Sequence, residues 1–315
     1  MAEVDYTQLE ARLGHRHLAQ RLKIQSAHVA RLFGAGKTWF HIENIRTLHR
    51  MIRRMLRILG LYAIGHRNTL DLRVEQNDVF FAELPKAFDG YRILQISDTH
   101  IDGNPELLPV LQGKIKDLEY DLCVFTGDFR EGTFEDYETP ARLMGQLCQN
   151  LSAPAYGVLG NHDAIEMLPL LEADGLRLLM NERIDLERSG ETIYLLGVDD
   201  PHYYETDQLE KAMVGVPDDG FCILLAHSPE ITRKAAWAGV DFYLCGHTHG
   251  GQICLPGGLP LIANSRCPHD QCKGAWHYEQ MRGYTSRGAG ASSVDVRFNC
   301  PPEITLHTLK SGMAK

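Results

Sequence analysis

In Phe242-Tyr243-Leu244-Cys245-Gly246-His247-Thr248-His249-Gly250-Gly251, four apolar residues run straight into a turn that carries two histidines. A run this short and this apolar fits a strand buried on both faces, and glycines on either side of the histidines fit a tight loop. The same texture recurs upstream. Ile93 to Ile96 runs into Ser97-Asp98-Thr99-His100, and Leu122 to Thr126 runs into Gly127-Asp128. Ala155 to Leu159 runs into Gly160-Asn161-His162-Asp163, and Phe221 to Ala226 runs into His227. A sixth run, Ile193 to Val198, completes the set, and Glu303 to Leu309 fits a last strand. Between them, Glu106 to Leu118, Tyr137 to Leu151 and Ile165 to Ala173 fit helices. Strands alternating with helices predict an α/β domain. In such sheets the loops at the carboxyl ends of the strands converge on one crevice, so these Asp, Asn and His side chains are expected to meet.

Upstream of this region the texture is different. Residues 1–65 are expected to be a helical N-terminal extension, and residues 66–315 the catalytic domain. From Ile42 to Leu61, Ile45, Leu48, Ile52, Met55, Leu56 and Leu59 recur at helical spacing, with Arg46, Arg50, Arg53 and Arg57 on the opposite face. Such a basic amphipathic helix either packs on the domain with a solvated Arg face or docks on an anionic membrane surface. Leu18 to Phe33 has a loose helix-turn-helix look, and Gly34-Ala35-Gly36-Lys37-Thr38 is loop-like, but Arg31 stands where a phosphate-binding loop needs its first glycine. Leu70 to Val74 and Val79 to Ala82 are two further strand candidates.

With 315 residues, 44% of them hydrophobic, the chain is long enough to bury a full core. A formal charge of −9 argues against a nucleic-acid partner, since phosphate backbones are gripped by Lys and Arg clusters. The N-terminus shows no basic region followed by an apolar stretch, and no window approaches the roughly 20 apolar residues of a membrane span. The expectation is therefore a cytoplasmic protein, with peripheral association at the inner face of the membrane if the basic helix docks there. Of the eight cysteines, Cys123, Cys222 and Cys245 lie in apolar runs, where buried thiols are expected. Cys267 and Cys272 flank Pro268-His269-Asp270-Gln271 and fit a plain surface loop, with a zinc clip or a disulfide as alternatives.

Taken singly each polar loop is unremarkable; as an ordered set they resemble one family. The order Asp98/His100, Asp128, Asn161/His162/Asp163, His227, His247/His249 is similar to that of the calcineurin-like metallophosphoesterases, over roughly Tyr91 to Lys310. The resemblance implies a sandwich of two mixed β-sheets flanked by helices, with two divalent metals at the strand ends. It implies that Asp98, His100, Asp128 and His249 hold one metal and that Asp128, Asn161, His227 and His247 hold the other, Asp128 bridging. Oxygen and nitrogen ligands without thiolate suit manganese first, and iron or zinc as alternatives. Two cations about 4 Å apart need a shared carboxylate, and together they convert a bridging water to the hydroxide that attacks phosphorus.

The family's Gly-Asn-His histidine, here His162, is implied as the general acid for the leaving oxygen. Asp163 or Glu131, or neither, would orient it. Arg130, after the Asp128 turn, is a candidate clamp for the substrate phosphate. Leu196 to Pro201, the stretch through Gln252 and Val296 to Ile304 resemble a bacterial branch with membrane-associated phosphodiesterases and one type of UDP-diacylglucosamine pyrophosphatase. Asp98-Thr99-His100 departs from that branch's more familiar Asp-Leu-His, which leaves both ligands intact. The expected activity is hydrolysis of phosphodiester or pyrophosphate bonds, on a lipid-linked nucleotide such as UDP-diacylglucosamine. A nuclease or other phosphodiesterase of the same superfamily, and a scaffold that has lost catalysis, are the alternatives.

Overall fold

The computed structural model describes residues 4–33, 46–133, 136–260 and 267–312. Its strands are β1 (Arg73–Phe81), β2 (Arg92–Ile96), β3 (Leu122–Phe125), β4 (Ala155–Gly157), β5 (Leu176–Leu178), β6 (Glu182–Arg188), β7 (Glu191–Gly197), β8 (Cys222–Leu225), β9 (Phe242–Cys245), β10 (Gly274–Tyr278), β11 (Met281–Thr285) and β12 (Glu303–Ser311). They form two six-stranded mixed sheets, ordered β1-β12-β2-β3-β4-β5 and β10-β11-β9-β8-β7-β6. β2 to β5 are parallel neighbours, as are β7, β8, β9 and β11. The central strands read as unbroken apolar runs because both of their faces are covered. Ile93, Leu122, Val124, Ile193, Leu195, Ile223 and Leu244 fill the space between the sheets. Their alternates Leu94, Ile96, Cys123 and Phe125 face a helical layer, while Leu196, Leu224 and Tyr243 face another.

The first helical layer contains α1 (Tyr6–Leu13) and the start of α2 (His15–Phe33), and it also holds α5 (Leu107–Ile115), α6 (Glu138–Cys148) and α7 (Met167–Ala173). The other layer is built on α8 (Leu209–Ala212) and α9 (Thr232–Trp237). Asp5 caps α1 by accepting from the amides of Thr7 and Gln8, and Leu9, Leu13 and Leu18 join the same core as β2 and β3. The N-terminal helices therefore share a core with the first sheet. The two strand candidates before residue 82 are one continuous β1, paired in parallel with β12.

Helix α3 (Arg46–Ile58), followed by α4 (Tyr62–Asn68), covers the loop that ends the chain's last turn before β12. Ile52 and Leu56 pack on Val294, Val296 and Phe298. The apolar arc of α3 is wider than that footprint: Met51, Met55, Ile58 and Leu59 remain 65%, 53%, 78% and 60% exposed. The apolar face of this helix is thus split between covered and open residues, and Met55 and Leu59 point to solvent beside exposed Arg50, Arg54 and Arg57. The expected residues 34–45, with the Gly34 to Thr38 loop, and the side chain of Arg46 lie outside the described residues. Among the described residues no helix is long and apolar enough to cross a membrane. No disulfide joins the cysteines of the described residues, and Cys123, Cys222 and Cys245 are buried as their apolar runs predict.

Between the N-terminal helices and the second sheet stands a buried ion pair of Arg21 with Asp199, with His17 Nε2 2.7 Å from the same carboxylate. Burial works against ionising Asp199, but the charge of Arg21 and the contact with His17 outweigh it and hold this carboxyl well below its usual range. A depressed carboxyl contributes stability that is complete above its unfolded pKa of about 3.9 and is lost as pH falls through the folded value. In metal-free protein, the melting-temperature difference between wild type and Asp199→Asn is expected to be largest near neutrality and to shrink below about pH 4. A difference independent of pH would show that the pair carries no such linkage.

Candidate metal centre

The loops after β2, β3, β4, β8 and β9 open on one crevice, and their backbones are bent to aim the side chains. Asp98, His100, Asp128, His247 and His249 all take left-handed conformations, with φ of 48°, 39°, 55°, 72° and 49°. Residues with a Cβ disfavour this region, so the surrounding structure must hold them there. Two glycines are required by close approach. A Cβ on Gly160 would overlap the backbone and carboxylate of Asp128, and one on Gly246 would overlap Ser97 Oγ and the Asp98 carboxylate.

The side chains form two groups whose ligand atoms lie within 4.8 Å of one another, Asp98-His100-His249 and Asp128-His227-His247, all buried. In the first, His100 Nε2 is 3.1 Å from His249 Nε2, and Asp98 Oδ1 is 3.7 Å from the latter. In the second, His227 Nε2 lies 3.2 Å from His247 Nδ1 and 2.9 Å from Asn161 Oδ1. Asp128 Oδ2 stands between the groups, 3.8 Å from His100 Nε2 and 3.2 Å from His227 Nε2.

This donor set fits divalent cations. His100 Nδ1 is 2.7 Å from the Arg130 carbonyl and His227 Nδ1 is 2.8 Å from the Thr126 carbonyl. A carbonyl only accepts, so in the neutral rings Nδ1 carries the hydrogen and the lone pair sits on Nε2. Both lone pairs then face carboxylate, amide or imidazole acceptors, an arrangement that repels unless positive charge lies between. The electrostatics among the buried groups point the same way. Burial, with Asp128 adding to it, pushes Asp98 up to about 7, and burial together with His162 pushes His100 down to about 3. For Asp128 and His227 burial is outweighed: neighbouring imidazoles, His227 first, hold Asp128 well below its usual range, and Asp128 holds His227 well above its own.

His162 is buried at the edge of this cluster, its ring 5.0 Å from that of His100. Its Nδ1 lies 2.7 Å from the Glu131 carbonyl and 3.3 Å from Thr133 Oγ1, which leaves Nε2 as the nitrogen that exchanges a proton. The acceptor at Nδ1 is a main-chain carbonyl, and the two expected carboxylates accept from backbone amides. Asp163 accepts from the amides of Asp128, Phe129, Arg130 and Gly160, tying the β3 and β4 loops together. The carboxylate of Glu131 accepts from the Ser293 amide and is 3.5 Å from His100 Nδ1, with burial pushing it up to about 7. Its main chain, not its side chain, holds His162.

Arg130, expected as a phosphate clamp, is buried and donates to the carbonyls of His162 and Thr133. The geometry gives this guanidinium to the His162 turn.

Two residues here were not anticipated. His202, on the loop after β7, lays its ring 4.1 Å from that of His247 and sets Nδ1 2.7 Å from Glu230. The strand-end rule that picks out the other loops would have reached it, since Asp199-Asp200-Pro201-His202 follows the sixth apolar run. Arg297 is wholly buried, donates to the carbonyls of Arg287, Gly288 and Gly290, and comes within 3.3 Å of His249 Nδ1. It lies in the Val296 to Ile304 stretch that carries part of the family resemblance, where the sequence assigns it no role.

Residues 91–251 match the model of the calcineurin-like phosphoesterase family. The chain is 28% identical to the metallophosphoesterase YkoQ of Bacillus subtilis, over 78% of this chain and 93% of that protein. It is 32% identical to YkuE of the same organism, over 72% of this chain and 82% of that one. With the UDP-2,3-diacylglucosamine pyrophosphatase LpxG of Chlamydia trachomatis it shares 30% identity over 71% of this chain and 85% of that one. Taken with two mixed sheets and buried Asp and His groups at their strand ends, these matches make the chain a member of the calcineurin-like phosphoesterase family, a metal-dependent phosphoesterase.

Proposed function

We propose that the protein is a two-metal hydrolase of phosphodiester or pyrophosphate bonds, with a lipid-linked nucleotide such as UDP-diacylglucosamine as substrate. The reading is carried by one observation: Asp128 Oδ2 stands between two groups of donors, within 4 Å of a histidine in each. Asp98, His100, Asp128 and His249 would hold one cation, and Asp128, Asn161, His227 and His247 the other. Two divalent cations, manganese first and iron or zinc otherwise, would supply charge to the phosphoryl oxygens and a water acidic enough to act as nucleophile near neutral pH. The carbonyls of Arg130 and Thr126 fix the rings of His100 and His227, so those ligands need no reorganisation on loading. His162 donates its Nε2 proton to the leaving oxygen, held by the Glu131 carbonyl through Nδ1.

The lipid part of the reading is supported by α3. Arg53 Nη2 is 3.5 Å from the Ser293 carbonyl, and the Ser293 amide binds Glu131, whose carbonyl holds His162. The helix thus borders the site, and it turns Met51, Met55, Ile58 and Leu59 to solvent with arginines alongside. An apolar strip edged by cations suits the headgroup boundary of an anionic bilayer. The name of LpxG supplies the chemical class of substrate.

The test is hydrolysis after chelation and metal add-back, with UDP-diacylglucosamine in anionic vesicles beside bis(p-nitrophenyl) phosphate. Release of UMP from the vesicles is expected, falling at least about tenfold in Met55→Ser/Leu59→Ser while the water-soluble diester is unaffected. Turnover of the diester alone would reject the lipid-linked substrate, and an equal effect on both would reject α3 as the docking element.

A further inference from the structure

Among the described residues Arg21 and Arg297 are the two arginines wholly removed from solvent, and Arg21 belongs to the N-terminal α2, far in sequence from every proposed ligand. Its guanidinium lies 4.0 Å over the Tyr204 ring and spends its two terminal nitrogens on different loops. Nη1 pairs with the Asp199 carboxylate, which also accepts from Thr206 Oγ1 at 2.7 Å. Nη2 donates at 2.9 Å to the main-chain carbonyl of Asp163. Asp163 directly follows His162. Asp199 begins the loop that carries His202 against His247, and the neighbouring Asp200 accepts from the amides of His202, Tyr203 and Tyr204 to shape that loop.

A buried charge is costly to desolvate, and α1 and α2 already attach to the core through Leu9, Leu13 and Leu18. The fork does what an apolar contact cannot: its planar nitrogens fix the distance between two loops. We propose that Arg21 is a positioning residue of the active site, through which the N-terminal helix keeps the His162 turn and the His202 loop in register. The inference rests on the reading of His162 as general acid.

Arg21→Lys tests it in the full-length, manganese-loaded protein, because a lysine keeps the charge against Asp199 but offers a single nitrogen where two are needed. The substrates are bis(p-nitrophenyl) phosphate, whose leaving group needs little protonation, and diphenyl phosphate, whose phenolate is far more basic. A displaced general acid should cost about 10- to 100-fold in kcat on diphenyl phosphate and under about threefold on the nitrophenyl ester. KM and bound manganese, measured by metal analysis, should be unchanged. In a His162→Ala background the same lysine should have no further effect on either ester, which a merely structural role would not predict.

Equal losses on both esters, lost manganese, or an undiminished effect in the His162→Ala background would overturn the role given to Arg21. If His162→Ala by itself lowered both esters equally, the general-acid reading would fail and take this inference with it. If melting shows that Arg21→Lys does not fold, Asp199→Asn, which loosens the same fork from its other end, is read by the same criteria.

Discussion

Asp128→Ala is expected to lower kcat on bis(p-nitrophenyl) phosphate by on the order of 10⁴-fold, about 5.4 kcal/mol of barrier, and to deplete both metals together. The reason lies in how the two groups share one side chain. Asp128 Oδ2 reaches toward His100 and His227, while Oδ1 accepts from the His162 amide at 2.9 Å. Without it the proposed sites keep three donors each, Asp98, His100 and His249 in one and Asn161, His227 and His247 in the other, and no shared carboxylate screens two cations from each other. The variant also leaves the rings of His100 and His227 fixed by their carbonyls, so the remaining donors would stay in place without the carboxylate that joins them. Metal content by elemental analysis and turnover after manganese add-back check the expectation. Near-normal turnover, or loss of one metal with the other retained, would remove Asp128 from the shared position. Asp98→Ala is the contrast: Asp98 touches the His249 group and the His247 amide, so its loss should weaken one site more than the other.

The legibility of this site in the sequence has a physical basis. Buried parallel strands must be apolar on both faces, so Ile93 to Ile96, Leu122 to Phe125 and Phe242 to Cys245 stand out from any helix or loop, and ligands that follow a strand end are pointed at one crevice. Strands covered on one face only do not announce themselves. Glu182–Arg188 is an edge strand, half-buried to exposed along its length, and its charges hide it. Residues 73–81 at the other sheet's edge read as two pieces because Glu75, Gln76, Asn77 and Asp78 interrupt the apolar pattern while β12 supplies the pairing. The contacts of Asp163 and Arg130 are hidden for a related reason. Adjacency to His162 in sequence says nothing of direction, and in a tight turn neighbouring side chains diverge: Asp163 turns back to four amides, and the acceptor at His162 Nδ1 is a main-chain carbonyl, which no residue type encodes. Helix α3 was ambiguous because hydrophobic periodicity gives the width of an apolar arc and not the width of what covers it.

His162→Ala should separate catalysis from metal binding. His162 stands beside the first group, with its ring edge-on to His100, but its Nδ1 is committed to the Glu131 carbonyl and it is in neither cluster of converging donors. Both metals should therefore be retained, while kcat falls by roughly 10² to 10⁴, the range for losing a positioned proton donor. The loss should grow as the leaving group becomes more basic. The pH profile should change in one direction: a general acid must be protonated to act, so the wild-type kcat falls as pH rises through its pKa, and that alkaline limb should flatten in the variant. Glu131→Gln tests the same geometry from the other side. Because the carbonyl and not the carboxylate holds the imidazole, that variant should keep turnover on a basic leaving group within about threefold of wild type, far from the loss caused by removing His162 itself. Metal lost in proportion to activity in His162→Ala would make this histidine a ligand, and a Glu131→Gln variant as impaired as His162→Ala would return the orienting role to the carboxylate.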